Sequence, residues 1–145
     1  MPSAPYRADL AEGPDDARVE YAQTVDNIRL RLCLWPSNSA KATVLLFPGR
    51  TEYIEKYGRA ARLLTASGYS VATLDWRGQG LSDRLSDDPL LGHVLRFRDY
   101  QTDVATLVEF TTRHSTPAPN FLLAHSMGGC IGLRALTQGL SLIHI

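Results

Sequence analysis

The sequence predicts an α/β fold: a mostly parallel sheet with an antiparallel N-terminal hairpin at one edge and helices on both faces. Three observations carry this. From residue 43 onward, short apolar runs alternate with amphipathic stretches in the order strand, helix, strand, helix, strand, helix. Thr43-Val-Leu-Leu-Phe47 is a continuous apolar run, which suits a strand covered on both faces. Ahead of it lie two stretches with the alternation of a hairpin.

In chain order, residues 1–17 form a polar leader. Residues 19–23 and 28–35 then read as strands, joined by the turn chemistry of Asp26-Asn27. Ile28, Leu30, Leu32 and Leu34 line one face of the second strand, and Arg29, Arg31 and Cys33 the other, so one face of the hairpin is expected to meet solvent. The run at 43–47 ends at Pro48-Gly49. A helix follows, with Ile54, Tyr57, Ala61 and Leu64 on one stripe, and Ser67-Gly68 stops it. Residues 70–74 make the next strand, and residues 75–84 a glycine-bearing loop. A helix over 97–114 carries Tyr100, Val104, Leu107, Val108 and Thr111 on its apolar stripe. After the turn-forming Pro117-Ala118-Pro119-Asn120, residues 121–124 read as a buried strand. Residues 127–136 read as a helix with Met127, Ile131 and Ala135 on one face.

In such sheets ligands bind at the carboxyl ends of the strands. The loops leaving those ends are residues 48–51, 75–82 and 125–127. The last is the most informative. In Phe121-Leu-Leu-Ala-His-Ser126-Met-Gly-Gly129 a serine sits between a strand and a helix with Ala124 and Gly128 two positions either side, the sequence form of a nucleophile elbow. Small residues are required because the chain turns sharply there and a large side chain would strike neighbouring backbone. Glycine is usual at both positions, and Ala124 departs from that by one methyl group.

Composition excludes several classes. The 145 residues suffice for one domain with a core, and fifteen basic residues cancel fifteen acidic ones. That balance leaves no footprint for nucleic acid or anionic lipid. Cys33 and Cys130 lie in unrelated segments without metal-ligand spacing, which suits a reducing compartment. The N-terminal stretch has no apolar run able to act as a signal peptide or membrane anchor, so a cytoplasmic location without stable membrane insertion is expected. Gly78-Gln-Gly80 is too short for a dinucleotide site and opens no helix, so no cofactor or metal is implied.

Three motifs, Phe47-Pro-Gly-Arg50-Thr-Glu52, Asp75-Trp-Arg-Gly78-Gln-Gly80-Leu-Ser82 and Ala124-His-Ser126-Met-Gly-Gly129, occur in this order. Together they resemble the α/β-hydrolase superfamily, and within it the lysophospholipase and monoacylglycerol-lipase-like group related to serine aminopeptidases. The resemblance runs from Val19 to about Gln138. It implies the N-terminal part of an α/β-hydrolase fold, with Ser126 as nucleophile for an acyl-enzyme and the backbone N–H groups of Met127 and Arg50 as oxyanion donors. It also implies a small ester or lipid-like substrate. Most members of that group have His-Gly where this chain has Pro48-Gly49, a change that keeps the Arg50 donor but removes a polar side chain.

Each of these residues also has a plainer reading. Ser126 could cap the following helix; with all three motifs present, nucleophile is the favoured reading. His125 is expected to pack or hydrogen-bond rather than serve as base, because adjacent side chains in a tight turn point apart. Asp75 and Arg77 are expected to tie the strand end to neighbouring backbone. Glu52 is expected to cap the helix it starts. His93 and His114 are expected at the surface.

A serine nucleophile in this fold needs an acid and a histidine base that follow it in the chain. Nineteen residues follow Ser126; none is Asp or Glu, and His144 is the only histidine. The expectation is therefore a truncated domain over 18–139, lacking base and acid, without normal esterase turnover and prone to aggregate through uncovered apolar surface. Residues 140–145, Leu-Ser-Leu-Ile-His-Ile, match the translation of CTG TCT CTT ATA CAC ATC, the end of a transposase adapter, and are expected to be read-through. Three functions stay open: an ester hydrolase, a peptidase or acyltransferase on the same scaffold, and a non-catalytic binding protein that keeps the fold.

Overall fold

The computed structural model describes residues 2–139. The expected 140–145 tail lies outside the described residues. Five strands form one sheet in the order β1-β2-β4-β3-β5: β1 (Arg18–Gln23), β2 (Arg29–Trp35), β3 (Ala42–Phe47), β4 (Tyr69–Leu74) and β5 (Asn120–Ala124). β1 and β2 pair antiparallel, with Val19 opposite Cys33, and β2 runs antiparallel to β4. β3 is flanked in parallel by β4 and β5, with Leu45 opposite Ala72 and Leu122. This is the expected mixed sheet with a hairpin edge.

Helices cover both faces. A short helix, α1 (Ala8–Ala11), precedes the sheet. α2 (Gly58–Ala66) follows a 3₁₀ turn over Ile54–Tyr57 and ends at Gly68, whose φ of +85° is the left-handed stop that glycine provides. Ile54 and Ala61 pack with Cys33, Trp35, Val44, Leu46 and Val71. On the opposite face lie α3 (Tyr100–Arg113) and α4 (Met127–Thr137). There Val104, Leu107, Phe110, Ile131 and Ala135 meet Leu30, Leu32, Leu34, Leu45 and Phe47.

Two expectations about exposure are corrected. Beyond Arg29, which is exposed, the second face of β2 is not solvated: Arg31 is 1% exposed and Cys33 is fully buried. The cause is the N-terminal segment. Ala4 N–H donates to the Val19 carbonyl, Ala4 joins the core around Cys33, and the Pro5 carbonyl accepts from Arg31 Nη1 at 2.9 Å. Conversely, residues 121–124 are not buried, with Phe121 and Leu123 both 48% exposed. β5 pairs only with β3 among the described residues, so one of its edges and part of its face lack cover. Leu133 on α4 is likewise exposed.

Candidate active site

The sheet delivers the ends of β3, β4 and β5 to one rim. The turn after β5 is set by sterics. Ser126 adopts φ 52° and ψ −121°, a strained backbone for a residue with a side chain, and α4 begins at the next position. Its hydroxyl makes no capping hydrogen bond, and its dihedrals are not those of an N-cap, so the capping alternative is not what the geometry displays. His125 N–H donates to the Phe47 carbonyl at 3.0 Å, clamping the elbow to β3.

The clamp explains Gly128. A Cβ there would lie 2.2 Å from the Phe47 carbonyl oxygen and 2.6 Å from that of Pro48, both backbone atoms that cannot yield cheaply. A Cβ at Gly129 would meet nothing within 4 Å. Gly128→Ala should therefore cost about 2–3 kcal/mol by overpacking. Gly129→Ala should gain up to about 1 kcal/mol from helix propensity. Denaturant midpoints of the two variants check this, and similar midpoints would contradict it.

The loop after β3 is held from three sides. Trp76 Nε1 donates to the Pro48 carbonyl at 2.9 Å. The Gln79 carboxamide oxygen accepts from the Thr51 N–H at 2.6 Å, where Thr51 sits at φ 63°. Glu52 accepts from the Gly49 N–H, the Lys56 ammonium and the Tyr57 hydroxyl, and His125 Nδ1 approaches it at 3.1 Å. Glu52 therefore does not cap the helix, as the sequence had suggested; it fastens the β3 loop to the elbow. Tyr53, which precedes the 3₁₀ turn, makes no side-chain capping bond either; the Ile54 N–H is met by Asp75 instead.

Burial raises the pKa of the Glu52 carboxyl, but these donors outweigh it and hold the group at about 2. The folded value lies below the ordinary 4.5, so the stabilisation is complete above pH 4.5 and is lost as pH falls toward 2. Glu52→Gln should be about 3 kcal/mol less stable than wild type at neutral pH, and the gap should close across that window. Paired unfolding curves measure it; a gap independent of pH refutes the charge-based account.

Asp75 ties the strand end to neighbouring backbone, as expected, whereas the Arg77 side chain binds carboxylates instead. Asp75 is fully buried and accepts from the Ile54 N–H at 3.0 Å, the Leu81 N–H at 2.8 Å and Arg31 Nε at 2.7 Å. Arg77 pairs with Asp103 at 2.7 Å and Asp26 at 2.7 Å, and burial pushes the Asp103 carboxyl up to about 6 against the pull of that guanidinium. His93 is exposed, whereas His114 packs edge-to-face against Phe110 and approaches Glu20 at 3.1 Å.

Ser126, Met127 and Arg50 line one cleft of about 680 Å³, with Val94, Phe97 and Tyr100 giving it an apolar wall. Among the described residues, neither the Met127 nor the Arg50 N–H has an acceptor, and no side chain hydrogen-bonds to the Ser126 hydroxyl. The N-terminus of α4, with its partial positive charge, opens at the same place. No three His, Cys, Asp or Glu side chains among the described residues converge as a metal site.

The sequence signature of the family described as "Serine aminopeptidase, S33" matches residues 38–142. The chain belongs to this family of α/β hydrolases. Within the S33 family it is similar to lysophospholipase L2 of Escherichia coli (strain K12), 42% identical over 110 residues, 74% of this chain and 32% of that protein. A phospholipase of Bacillus subtilis is 29% identical over 72% of this chain and 38% of its own length. The chain thus spans about a third of the length of the curated relatives it matches. Among solved structures, a soluble variant of monoglyceride lipase from Saccharomyces cerevisiae in complex with a substrate analog superposes with a TM-score of 0.66 at 26% identity, covering 95% of this chain and 43% of that one. An esterase of Pyrococcus furiosus gives 0.72 at 19% identity over 97% of this chain and 52% of that chain, a likeness of fold. These similarities support an ester-hydrolysing S33 family.

Proposed function

We propose that the protein carrying this chain is a serine hydrolase of lipid-class carboxylic esters, a lysophospholipid or a monoacylglycerol, acting through an acyl-enzyme on Ser126. The observation that carries the reading is the strained Ser126 at the head of α4, in a cleft where two backbone N–H groups lack acceptors. In it, Ser126 Oγ attacks the ester carbonyl, the Met127 and Arg50 N–H groups take the developing oxyanion, and the α4 dipole adds to them. The acyl chain lies along Val94, Phe97 and Met127. The base and acid that complete the reaction are supplied from outside the described residues, and this chain alone does not turn over esters normally. The names of the bacterial lysophospholipase and the yeast monoglyceride lipase support a lipid ester. The free thiols of Cys33 and Cys130 suit the cytoplasm, and no helix among the described residues is long and apolar enough to cross a membrane.

Peptidase chemistry is the second reading, because the family is described as a serine aminopeptidase. An aminopeptidase must hold a substrate ammonium, yet Arg50, itself a cation, is the one charged side chain lining the cleft among the described residues. That favours the ester. Treating the product of the complete open reading frame with a fluorophosphonate, followed by peptide mass spectrometry, should place the adduct on Ser126. A folded, intact protein that never labels sinks the proposal in favour of a non-catalytic binder.

A further inference from the structure

We infer that the side chain of Arg50 reads the phosphate of a lysophospholipid, and so sets selectivity between phosphate-bearing and neutral lipid esters. The inference rests on the ester-hydrolase reading above and adds to it a role for the Arg50 guanidinium, distinct from that of its backbone N–H. Four observations bear on it. The cleft that holds Ser126 is walled by Val94, Phe97, Tyr100 and Met127, so an acyl chain has apolar surface to lie on, and Arg50 is its one charge among the described residues. Arg50 is exposed, and among the described residues it has no carboxylate partner. The buried arginines of the same fold are saturated by contrast: Arg31 pairs with Glu55 and Asp75, and Arg77 with Asp26 and Asp103. Burial raises the Tyr100 phenol pKa, and the Gln79 hydrogen bond and, more weakly, the positive charge of Arg50 pull it back, which agrees with Arg50 and Tyr100 lining one cleft.

The spacing matches as well. In a lysophospholipid the glycerol backbone separates the ester carbonyl from the phosphate. In Arg50 a three-methylene stem separates the N–H from the guanidinium. With spans of similar length, a substrate whose carbonyl oxygen sits on the backbone donor can bring its phosphate to the fork, whose planar donors match phosphate oxygens two at a time. A monoacylglycerol offers only a hydroxyl there.

The test uses the product of the complete open reading frame. It compares kcat/KM for a lysophosphatidylcholine and a monoacylglycerol of the same short acyl chain, both below their aggregation concentrations. The ratio of the two is the readout, because it cancels any loss of folded enzyme or distortion of the oxyanion loop. Arg50→Leu should lower the ratio of phosphate ester to neutral ester by about tenfold or more, the effect of one charge-assisted hydrogen-bonded pair. Arg50→Lys should retain part of it. The wild-type ratio should also fall with added salt, since the pair is exposed. Wild-type turnover of both esters with an unchanged ratio in Arg50→Leu overturns this inference alone. Turnover of neither ester overturns the hydrolase reading and the inference with it.

Discussion

Replacing Ser126 by alanine in the complete protein should abolish fluorophosphonate labelling and lower kcat for ester hydrolysis by about a million-fold, while leaving thermal stability nearly unchanged. The two halves of this expectation come from different features. The chemical half follows from placement: among the described residues that line the cleft, only Ser126 sits on the strained turn beside two N–H groups without acceptors. Cys130 lines the same cleft, but it lies within α4, where its backbone is ordinary helix. The stability half follows because the Ser126 hydroxyl makes no capping bond, so its removal leaves α4 as it was. Alanine keeps the Cβ and with it the strain at φ 52°. Ser126→Gly should therefore be more stable than either, since glycine adopts that backbone without penalty. Loss of activity accompanied by a large drop in melting temperature for Ser126→Ala would show instead that the serine is structural.

Most of the fold was legible because it rests on local signals. The run Thr43 to Phe47, the stripe Tyr100, Val104, Leu107 and the stop at Gly68 each encode an element within a few residues, and each element appears where the pattern puts it. The errors share one cause, contacts far apart in sequence. Arg31 reads as a solvent-facing position by alternation. It is buried because Pro5, Glu55 and Asp75 converge on it from three separate segments. Phe121 and Leu123 read as core because they are apolar, but burial also requires a neighbour on the far side of β5.

The site divides in the same way. The elbow was visible because a tight turn imposes small residues at fixed spacing, and Gly128 meets that demand against the Phe47 carbonyl. The support for the loop after β3 was not. Both residues lie inside motifs that carry the family resemblance, but the only individual roles the sequence suggested were the middle of a glycine pair for Gln79 and a helix start for Glu52. In the structure both hold the loop that carries Arg50, Gln79 through the Thr51 N–H and Glu52 through the Gly49 N–H. A buried carboxylate or carboxamide among glycines leaves no periodic trace. Its one sequence signal is a polar residue in a loop that lies at a strand's carboxyl end.

The buried arginine gives the largest stability effect. Arg31 donates to both oxygens of Glu55 at 2.8 Å and to Asp75 at 2.7 Å, with all three side chains inside the protein. Arg31→Met should cost about 3–5 kcal/mol, because it strands two carboxylates away from water rather than because the pairs are themselves strongly favourable. Two further results separate these causes. The double variant Arg31→Met, Glu55→Met should be less destabilised than the two single changes summed, since removing Glu55 also removes one stranded charge. The deficit of Arg31→Met should also shrink as pH is lowered. Burial already raises the Asp75 carboxyl against the pull of Arg31, and without that guanidinium the folded state binds a proton at a pH where the unfolded chain does not. Because Asp75 also accepts from Ile54 and Leu81, the damage should reach the site: amide exchange at both should accelerate in the variant. Additive double-variant energies together with a pH-independent deficit would mean that Arg31 contributes by packing its stem alone.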